Sequence, residues 1–207
     1  YGLAIDMPAG PSELLVMSDK TGNPAFIASD LLSQAEHGGD SQVIFVTNEV
    51  TMLQAVEEEV SKQIELLPRK DIAIKAIENS KLISFDSDQD IIDFINAYGP
   101  EHLILIAENE DFYMENLISA GSVFVGSYTP ESAGDYASGT NHTLPTNGYA
   151  KAYSGVNLDS FTKKITFQKI TRQGIQSIGP AIELMAEAEG LQAHKNAVTL
   201  RLAELKK

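Results

Sequence analysis

The amino-acid sequence predicts an α/β protein with an open, mainly parallel sheet and flanking helices. Short segments that are almost wholly apolar alternate along the chain with longer segments that are apolar on one side only. Strands of a parallel sheet are buried on both faces and therefore have this continuous apolar character. Their alternation with helices is typical of repeated strand–helix–strand units. We predict strands at residues 14–17, 42–46, 81–85, 102–107 and 122–125.

Amphipathic segments between these strands predict helices at residues 24–37, 49–67, 72–77, 87–98 and 109–119. Asn23 and Pro24 predict the first helix start, because asparagine caps a helix well and proline suits its first turn. Gly38 and Gly39 predict the end of that helix, and Pro68 predicts the end of the next one.

The pattern changes after about residue 155. Residues 161–170 alternate apolar and polar side chains, which predicts an exposed or antiparallel strand. Residues 172–207 are helical in character and are interrupted at Gly190. We therefore predict an α/β domain at residues 1–156, which carries most of the active site, and a small C-terminal arm of strand and helices at residues 157–207.

Composition limits the classes of function. The 207 residues are 43% hydrophobic, enough for a large core, and their net charge of −14 argues against nucleic acid and anionic membranes as partners. The absence of cysteine excludes disulfides, thiolate zinc sites and cysteine nucleophiles. No apolar run reaches ~18 residues and no basic-then-apolar leader is present, so we expect a cytoplasmic protein without a membrane span or signal peptide. The apolar start without methionine leads us to expect part of a longer protein.

Residues 134–142 form the segment richest in chemically active side chains and read Gly-Asp-Tyr-Ala-Ser-Gly-Thr-Asn-His. They show neither helical nor strand periodicity, so we predict a polar, solvent-reaching loop. Asp135 and His142 are its candidate ligands. Alternatively, its Asp and Asn side chains only cap local backbone groups, as in many surface turns.

Two further candidate groups lie at the ends of predicted elements. His37 ends the first predicted helix, with Gln34 on the same face, and it could bind a cation or simply cap the last carbonyl groups. Glu101 and His102 follow a Gly-Pro turn and could form either a proton-transfer pair or a strand-edge ion pair. Their position at the amino end of a strand is unusual, because ligands of open parallel sheets collect at the carboxyl ends.

A set of nitrogen and oxygen donors could hold zinc, namely Gln34, His37, Asp135 and His194. Glutamine is an unusual zinc ligand, and a histidine at the start of the last helix is often a surface residue. The residues alone leave open a zinc-dependent hydrolase and a non-catalytic α/β module. The sequence contains no Gly-x-Gly-x-x-Gly and no Walker segment for a nucleotide.

Segments along the whole chain resemble the histidinol dehydrogenases, enzymes of the last two steps of histidine biosynthesis. They are Asp-Met-Pro-Ala-Gly-Pro-Ser-Glu from Asp6, Ser-Asp-Leu-Leu-Ser-Gln-Ala-Glu-His-Gly from Ser29, Tyr-Gly-Pro-Glu-His-Leu from Tyr98, Ser-Ala-Gly-Asp-Tyr-Ala-Ser-Gly-Thr-Asn-His from Ser132 and Glu-Gly-Leu-Gln-Ala-His from Glu189. Together they are highly specific. The resemblance implies an incomplete Rossmann-like α/β fold.

The resemblance also implies roles for individual residues. The acid–base pair would be Glu101 and His102, and the zinc ligands would be Gln34, His37, Asp135 and His194. The substrate pocket would comprise Ser12, Gln34, His37, His102, Asp135, His142, Glu189 and His194. The family is a homodimer whose C-terminal segment reaches the partner's active site, so Glu189 and His194 would serve the other subunit.

By this resemblance, the parent protein oxidises L-histidinol through the aldehyde to L-histidine, with zinc and NAD as cofactors. His102 is expected to take the alcohol proton, Glu101 to activate water, and zinc to orient the substrate's imidazole and amine. The family carries roughly as much chain again upstream, including most of its NAD contacts. We therefore expect no NAD-binding residue in this chain and no dehydrogenase activity from this chain alone.

Overall fold

The computed structural model describes residues 7–206 of the chain. The apolar start at residues 3–5, Asp6 of the first matching segment and Lys207 lie outside the described residues. The chain divides into two units, of which the first extends through Thr162 and the second begins at Lys163.

A five-stranded parallel sheet forms the centre of the first unit. Its strands are β1 (Glu13–Ser18), β2 (Gln42–Thr47), β3 (Lys81–Ser84), β4 (His102–Ile106) and β5 (Ser122–Val125). They lie in the order β3-β2-β1-β4-β5, and every neighbouring pair is parallel. This order is that of doubly wound α/β folds. The predicted fold class is confirmed, and each strand predicted within residues 14–125 is present.

Helices cover both faces of the sheet. They are α1 (Pro24–Ala35), α2 (Val50–Ile64), α3 (Lys70–Glu78), α4 (Asp88–Tyr98), α5 (Glu110–Asn116) and α6 (Glu131–Tyr136). Leu14 and Val16 of β1 belong to one apolar core with α1, α2 and α3, whereas Leu15 and Met17 belong to a second core with α4. Since successive side chains of a strand point to opposite faces, the central strand contributes to both cores.

The carboxyl end of α1 lies at the sheet edge where the strands begin, because a crossover helix runs antiparallel to its parallel strands. The helix starts as predicted, with the side chain of Asn23 accepting a hydrogen bond from the amide of Ala25. It ends at Ala35, so His37 lies in the following turn and not in the helix as predicted. The turn is closed by a hydrogen bond of 3.2 Å from the His37 amide to the Gln34 carbonyl.

The predicted loop at residues 134–142 is wrong for its first three residues, which complete α6. Gly134 packs directly against Phe124, and a Cβ atom there would come within 2.6 Å of the phenylalanine ring. A helix of six residues is stabilised by such tertiary contact, since its own propensity is too weak. Residues 137–143 are irregular and exposed, as predicted.

The second unit contains α7 (Arg172–Ala188) and α8 (Gln192–Glu204), which pack on each other. Gly190 lies between them with a φ of 71°, which confirms the predicted interruption. The strand predicted at residues 161–170 is wrong: Leu158–Phe161 is a 3₁₀ turn, and residues 162–170 have no regular structure. An alternating segment needs a sheet edge to pair with, and the sheet pairings among residues 7–206 involve β1 to β5 only. No helix in the described part of the chain is both long and apolar enough to cross a membrane.

Candidate active site at the amino ends of the strands

A cleft of about 270 Å³ lies in the first unit, at the edge of the sheet where the strands begin. Every site residue predicted within this unit lines it. The lining side chains are Ser12, Gln34, His37, Glu101, His102, Glu131, Asp135, Tyr136 and His142.

Parallel strand geometry explains why residues distant in sequence converge on this cleft. Ser12 directly precedes β1, and Glu101 directly precedes β4, which begins with His102. These two strands are neighbours, with Leu14 opposite His102 in the register. Because parallel strands all begin at the same edge, residues at their amino ends are brought together. The cleft therefore lies opposite the carboxyl edge, where open α/β sheets usually bind ligands.

The backbone of Glu13 positions both members of the Glu101–His102 pair. Its amide donates to Oε2 of Glu101 over 2.9 Å, and its carbonyl oxygen lies 3.1 Å from Nδ1 of His102. A carbonyl can only accept, so Nδ1 must carry the hydrogen. The neutral imidazole then has its free lone pair on Nε2, which makes Nε2 the basic atom of His102.

Burial shifts the pKa values of both Glu101 and His102. Glu101 and His102 are each 5% exposed. Burial raises the pKa of Glu101 to about 7, an effect increased by the like charges of Glu13 and Asp135 and opposed by hydrogen bonds from the Glu13 amide and Ser12. Burial lowers the pKa of His102, which keeps the imidazole neutral. Glu101 can therefore accept and release a proton near neutral pH, and His102 is available there as a neutral base.

A second cluster in the cleft has the donors of a divalent-cation site. One ligand atom from each of His37, Glu131 and Asp135 can be chosen so that all three lie within 4.8 Å of one another. Gln34 is 1% exposed, and neither atom of its side-chain amide has a hydrogen-bond partner among the described residues. An unpaired buried amide is costly, and a bound cation would satisfy its oxygen. The residues present therefore fit a metal ion that accepts nitrogen and oxygen ligands.

Two residues that line the cleft, Glu131 and Tyr136, were not predicted as site residues, and Glu131 is the one with a buried carboxyl group. It precedes Asp135 by four positions in α6, so the two side chains share one helix face. The four-residue spacing is visible in the sequence, but it places the two side chains together only if the segment is helical. Burial, together with the nearby charges of Asp135, Glu101 and Asp30, raises the pKa of Glu131 to about 8.

His142 lies at the mouth of the cleft. Its Nδ1 is 3.9 Å from Oδ1 of Asp135, and its side chain is 63% exposed against 16% for Asp135. It can therefore approach a bound molecule from the solvent side. Glu189 and His194, the remaining predicted site residues, belong to the second unit: Glu189 caps the end of α7, and His194 is in the first turn of α8.

Within residues 7–206, the opposite edge of the sheet lacks the features of a dinucleotide site, although it carries a cleft of about 430 Å³. In doubly wound folds a pyrophosphate binds at the glycine-rich turn after the first strand. Here the carboxylate of Asp19 fills that turn and accepts hydrogen bonds of 2.7 Å from the amides of Thr21 and Glu108. Asn23 already caps the helix that follows. A carboxylate at this position would repel a pyrophosphate, so the turn does not fit NAD.

Comparison with known proteins points to a single family. The sequence matches the family described as histidinol dehydrogenase over residues 1–202. Histidinol dehydrogenases of Bacteroides thetaiotaomicron and Yersinia pestis are 62% and 56% identical to it over 204 residues. The crystal structure of histidinol dehydrogenase from Elizabethkingia anophelis is 62% identical and has a TM-score of 0.94 to this chain.

The matches cover nearly all of this chain but only about half of each relative. They include 99% of this chain but 48% of the Bacteroides protein and 46% of the Yersinia protein. The Elizabethkingia structure covers 100% of this chain, which corresponds to 48% of that structure. The chain thus spans about half the length of the relatives it matches.

Proposed function

The chain belongs to the histidinol dehydrogenase family, and from that premise we propose that it forms the metal-binding and proton-transfer part of an oxidoreductase. The whole protein would oxidise L-histidinol through its aldehyde to L-histidine in histidine biosynthesis. The observation that carries this proposal is the convergence of Gln34, His37, Glu101, His102 and Asp135 on one cleft. Neither a zinc hydrolase nor a non-catalytic module would account for the family match.

The Glu101–His102 pair would perform two successive proton transfers. In the first oxidation, Nε2 of neutral His102 takes the proton of the substrate hydroxyl as the alcohol becomes an aldehyde. In the second, the Glu101 carboxylate takes a proton from water while the water oxygen bonds to the aldehyde carbon and protonated His102 returns its proton to the carbonyl oxygen, which gives the hydrate. The hydrate then loses a hydride to NAD and a proton, which gives the acid. A carboxyl group with a pKa near 7 is suited to both accepting and releasing that proton.

Zinc would be held in the first unit by Gln34, His37 and Asp135. When bound, it would orient the substrate through its imidazole and amine nitrogens. Ser12 and His142 lie along the same cleft and would contact the rest of the substrate. Placing the substrate there would bring its hydroxymethyl carbon within reach of His102 and Glu101.

The hydride acceptor, NAD, would be bound by the half of the protein that this chain does not span. This division agrees with the filled turn after β1 and with the absence of a glycine-rich fingerprint. We also propose that the protein is a homodimer. In that dimer, Glu189 and His194 of one copy would complete the substrate and zinc sites of the other.

Titration of L-histidinol into the chain tests the proposal. Chain stripped of metal with a chelator, and the same chain reloaded with zinc, would be titrated by calorimetry. We expect binding only with zinc, and we expect His37→Ala to abolish it, because the substrate would be held largely through the ion. A simple primary alcohol without an imidazole serves as the control ligand and should give no heat.

Three outcomes separate the alternatives. Zinc-dependent binding of L-histidinol alone supports the proposal. Equal binding with and without zinc would show that the ion does not anchor the substrate. If the chain does not bind zinc, the metal has no role in the function of this half of the protein.

A further inference from the structure

Glu13 is connected to three other parts of the first unit. Its backbone amide and carbonyl hold Glu101 and His102. Its side chain has a third partner, since Oε1 accepts a hydrogen bond of 3.0 Å from the backbone amide of Asn147. The second carboxyl oxygen, Oε2, is buried and has no hydrogen-bond partner among the described residues. Burial raises the pKa of this carboxyl despite the hydrogen bond from Asn147. The roles proposed above do not explain why a carboxyl group is buried here.

The sheet alone fixes Glu13 weakly on the side that faces Glu101. Glu13 is the first residue of β1 and lies opposite Gln42 of β2. The register with β4 begins one residue later, where Leu14 lies opposite His102. Residues 7–12, which precede β1, belong to neither a helix nor a strand. Because the ends of elements open more readily than their interiors, a contact from outside the sheet is needed to hold the Glu13 backbone in place.

The partner of the Glu13 side chain is a turn with an unfavourable backbone conformation. Asn147 has a φ of 54° and Gly148 a φ of 73°, and Asn147 is the one non-glycine residue with positive φ within residues 7–206. Asparagine tolerates this conformation better than most residues. Such a conformation still persists only where the surroundings hold it. The hydrogen bond between the Asn147 amide and Glu13 is a contact of that kind.

The same turn packs against the chain that leads to Glu101. A Cβ atom at Gly148 would lie 3.3 Å from the carbonyl oxygen of Tyr98, and one at Gly99 would lie 3.1 Å from Cγ of Lys151. Tyr98 and Gly99 come immediately before Pro-Glu-His at the start of β4. The turn therefore contacts the start of β1 through Glu13 and the approach to β4 directly.

We propose that Glu13 is a positioning residue for the Glu101–His102 pair and acts through its side chain. By accepting the hydrogen bond from Asn147, the side chain fixes the start of β1 against the turn before β4, so that the Glu13 backbone stays within hydrogen-bond distance of both partners. Glu13 is not among the residues that line the cleft, so it would act through the pair and not on the substrate. The inference rests on the proposed function, which gives the pair its reaction.

Two substitutions of Asn147 test the turn without changing Glu13 or the cleft. The Asn147 side chain is exposed. Asn147→Gly keeps the amide and suits a positive φ, whereas the branched side chain of Asn147→Val strongly disfavours it. We expect Asn147→Val to weaken the hydrogen bond from the Glu13 amide to Glu101, and we expect Asn147→Gly to preserve it.

The pKa of Glu101 reports this hydrogen bond. The Glu13 amide lowers that pKa more than the Glu13 charge raises it, so displacing Glu13 should raise the pKa above its value of about 7. We expect this rise in Asn147→Val and no change in Asn147→Gly. NMR of the glutamate carboxyl carbons in the metal-free full chain measures both.

A second pair of variants changes Glu13 itself. Glu13→Gln and Glu13→Met both remove the charge at similar side-chain length, but only glutamine offers an oxygen that accepts from the Asn147 amide. We expect a higher Glu101 pKa in Glu13→Met than in Glu13→Gln. The Nδ1 proton of His102 should exchange slowly with water in Glu13→Gln and rapidly in Glu13→Met, which proton NMR detects. A residue that only stabilised the fold would lower the melting temperature of Glu13→Met without separating these signals.

The outcomes decide this inference separately from the proposed function. If Asn147→Val matches Asn147→Gly and Glu13→Met matches Glu13→Gln in both signals, Glu13 is not a positioning residue. Circular dichroism checks the fold of each variant, and if Asn147→Val does not fold, the Glu13 pair still decides. These signals are measured without zinc or substrate. A wild-type chain that shows no zinc-dependent binding of L-histidinol would therefore overturn the proposed function even where both signals separate as expected.

Discussion

The backbone amide of Glu13 donates a hydrogen bond to Oε2 of Glu101 over 2.9 Å. The carbonyl of the same residue holds Nδ1 of His102, so one peptide segment at the start of β1 fixes both proton-transfer side chains. The side-chain charge of Glu13 and its backbone amide have opposite effects on the pKa of Glu101. Its charge raises the pKa of Glu101, whereas its amide lowers it.

Replacing Glu13 with glutamine separates these two effects. Glu13→Gln keeps the amide hydrogen bond and removes the like charge, so we expect the pKa of Glu101 to fall from about 7 toward its ordinary value. The pKa can be followed in metal-free protein by NMR of the glutamate carboxyl carbons. Glu57→Gln, on the exposed side of α2, is the matched control and should leave the Glu101 titration in place. An unchanged Glu101 pKa in Glu13→Gln would contradict the electrostatic role of Glu13.

The raised pKa of Glu101 also predicts how stability depends on pH. Between the ordinary value of 4.5 and about 7, the folded state holds a proton that the unfolded state has released. Stability must therefore fall as pH rises through this window and stay low above it. The shift corresponds to a penalty on the order of 3 kcal/mol at most.

Glu101→Gln should remove this penalty. We expect its free energy of unfolding in urea, with chelator present, to exceed that of the wild type at pH above about 7 and to converge with it near pH 4.5. Asp30, whose pKa burial raises to about 7, adds the same slope in both proteins. The charge of Glu101 also raises the pKa of Glu131, so the difference between the two proteins contains a contribution from Glu131 in the same direction. A variant less stable than wild type at every pH would mean that the hydrogen bonds of the carboxylate outweigh its burial.

Gly134 holds α6 against the sheet. Gly134→Ala would place Cβ within 2.6 Å of the Phe124 ring. Because the aromatic ring is rigid, we expect α6 to move away from it. We expect a destabilisation of about 1–3 kcal/mol and a loss of zinc affinity, because the ligand Asp135 moves with the helix. Thermal unfolding and zinc calorimetry measure both effects. Ser132→Ala, on the exposed side of α6, should change neither, and wild-type zinc binding in Gly134→Ala would uncouple α6 from the site.

The sequence predicted the sheet well for a physical reason. Strands buried on both faces, such as β4, have a continuous apolar sequence that few other structures share. The fold then determined the convergence of Ser12, Glu101 and His102, since neighbouring parallel strands begin at one edge. The resemblance of the motifs to a known family identified these residues as a site. The parallel sheet explains why they lie close together.

The failures occurred where tertiary contacts decide the local structure. Residues 134–136 have no helical periodicity, and they lie in α6 where Gly134 packs against Phe124. Without that helix, the four-residue spacing of Glu131 and Asp135 carried no information, so Glu131 was missed. Residues 161–170 alternate correctly for a strand, but an alternating segment does not form one without a paired edge.

The chain alone should not reduce NAD. Adding L-histidinol, NAD and zinc should give no increase in NADH absorbance, because the turn after β1 is filled by Asp19 and fits no pyrophosphate. A full-length relative such as the Bacteroides protein is the positive control under the same conditions. Steady NADH production by this chain would show that its own residues bind the dinucleotide.

His194 is expected to link zinc binding to dimer formation. If α8 of one copy reaches the cleft of another, His194 adds a fourth donor to Gln34, His37 and Asp135 only in the dimer. Zinc should then strengthen association, and association should strengthen zinc binding by the same factor. Zinc-dependent changes in mass by analytical ultracentrifugation would report this coupling.

His194→Ala should remove the coupling and retain the site. We expect its zinc affinity to fall by about 10-fold or more, since three donors remain, and we expect zinc to have no further effect on its mass. The substitution lies in α8 and leaves both apolar cores of the first unit unchanged, so thermal stability without metal should match the wild type. Gln192→Ala, in the same turn of α8, is the matched control and should keep zinc-dependent association. Equal zinc affinity and equal association of His194→Ala and wild type would end the assignment of His194 as a ligand in this chain.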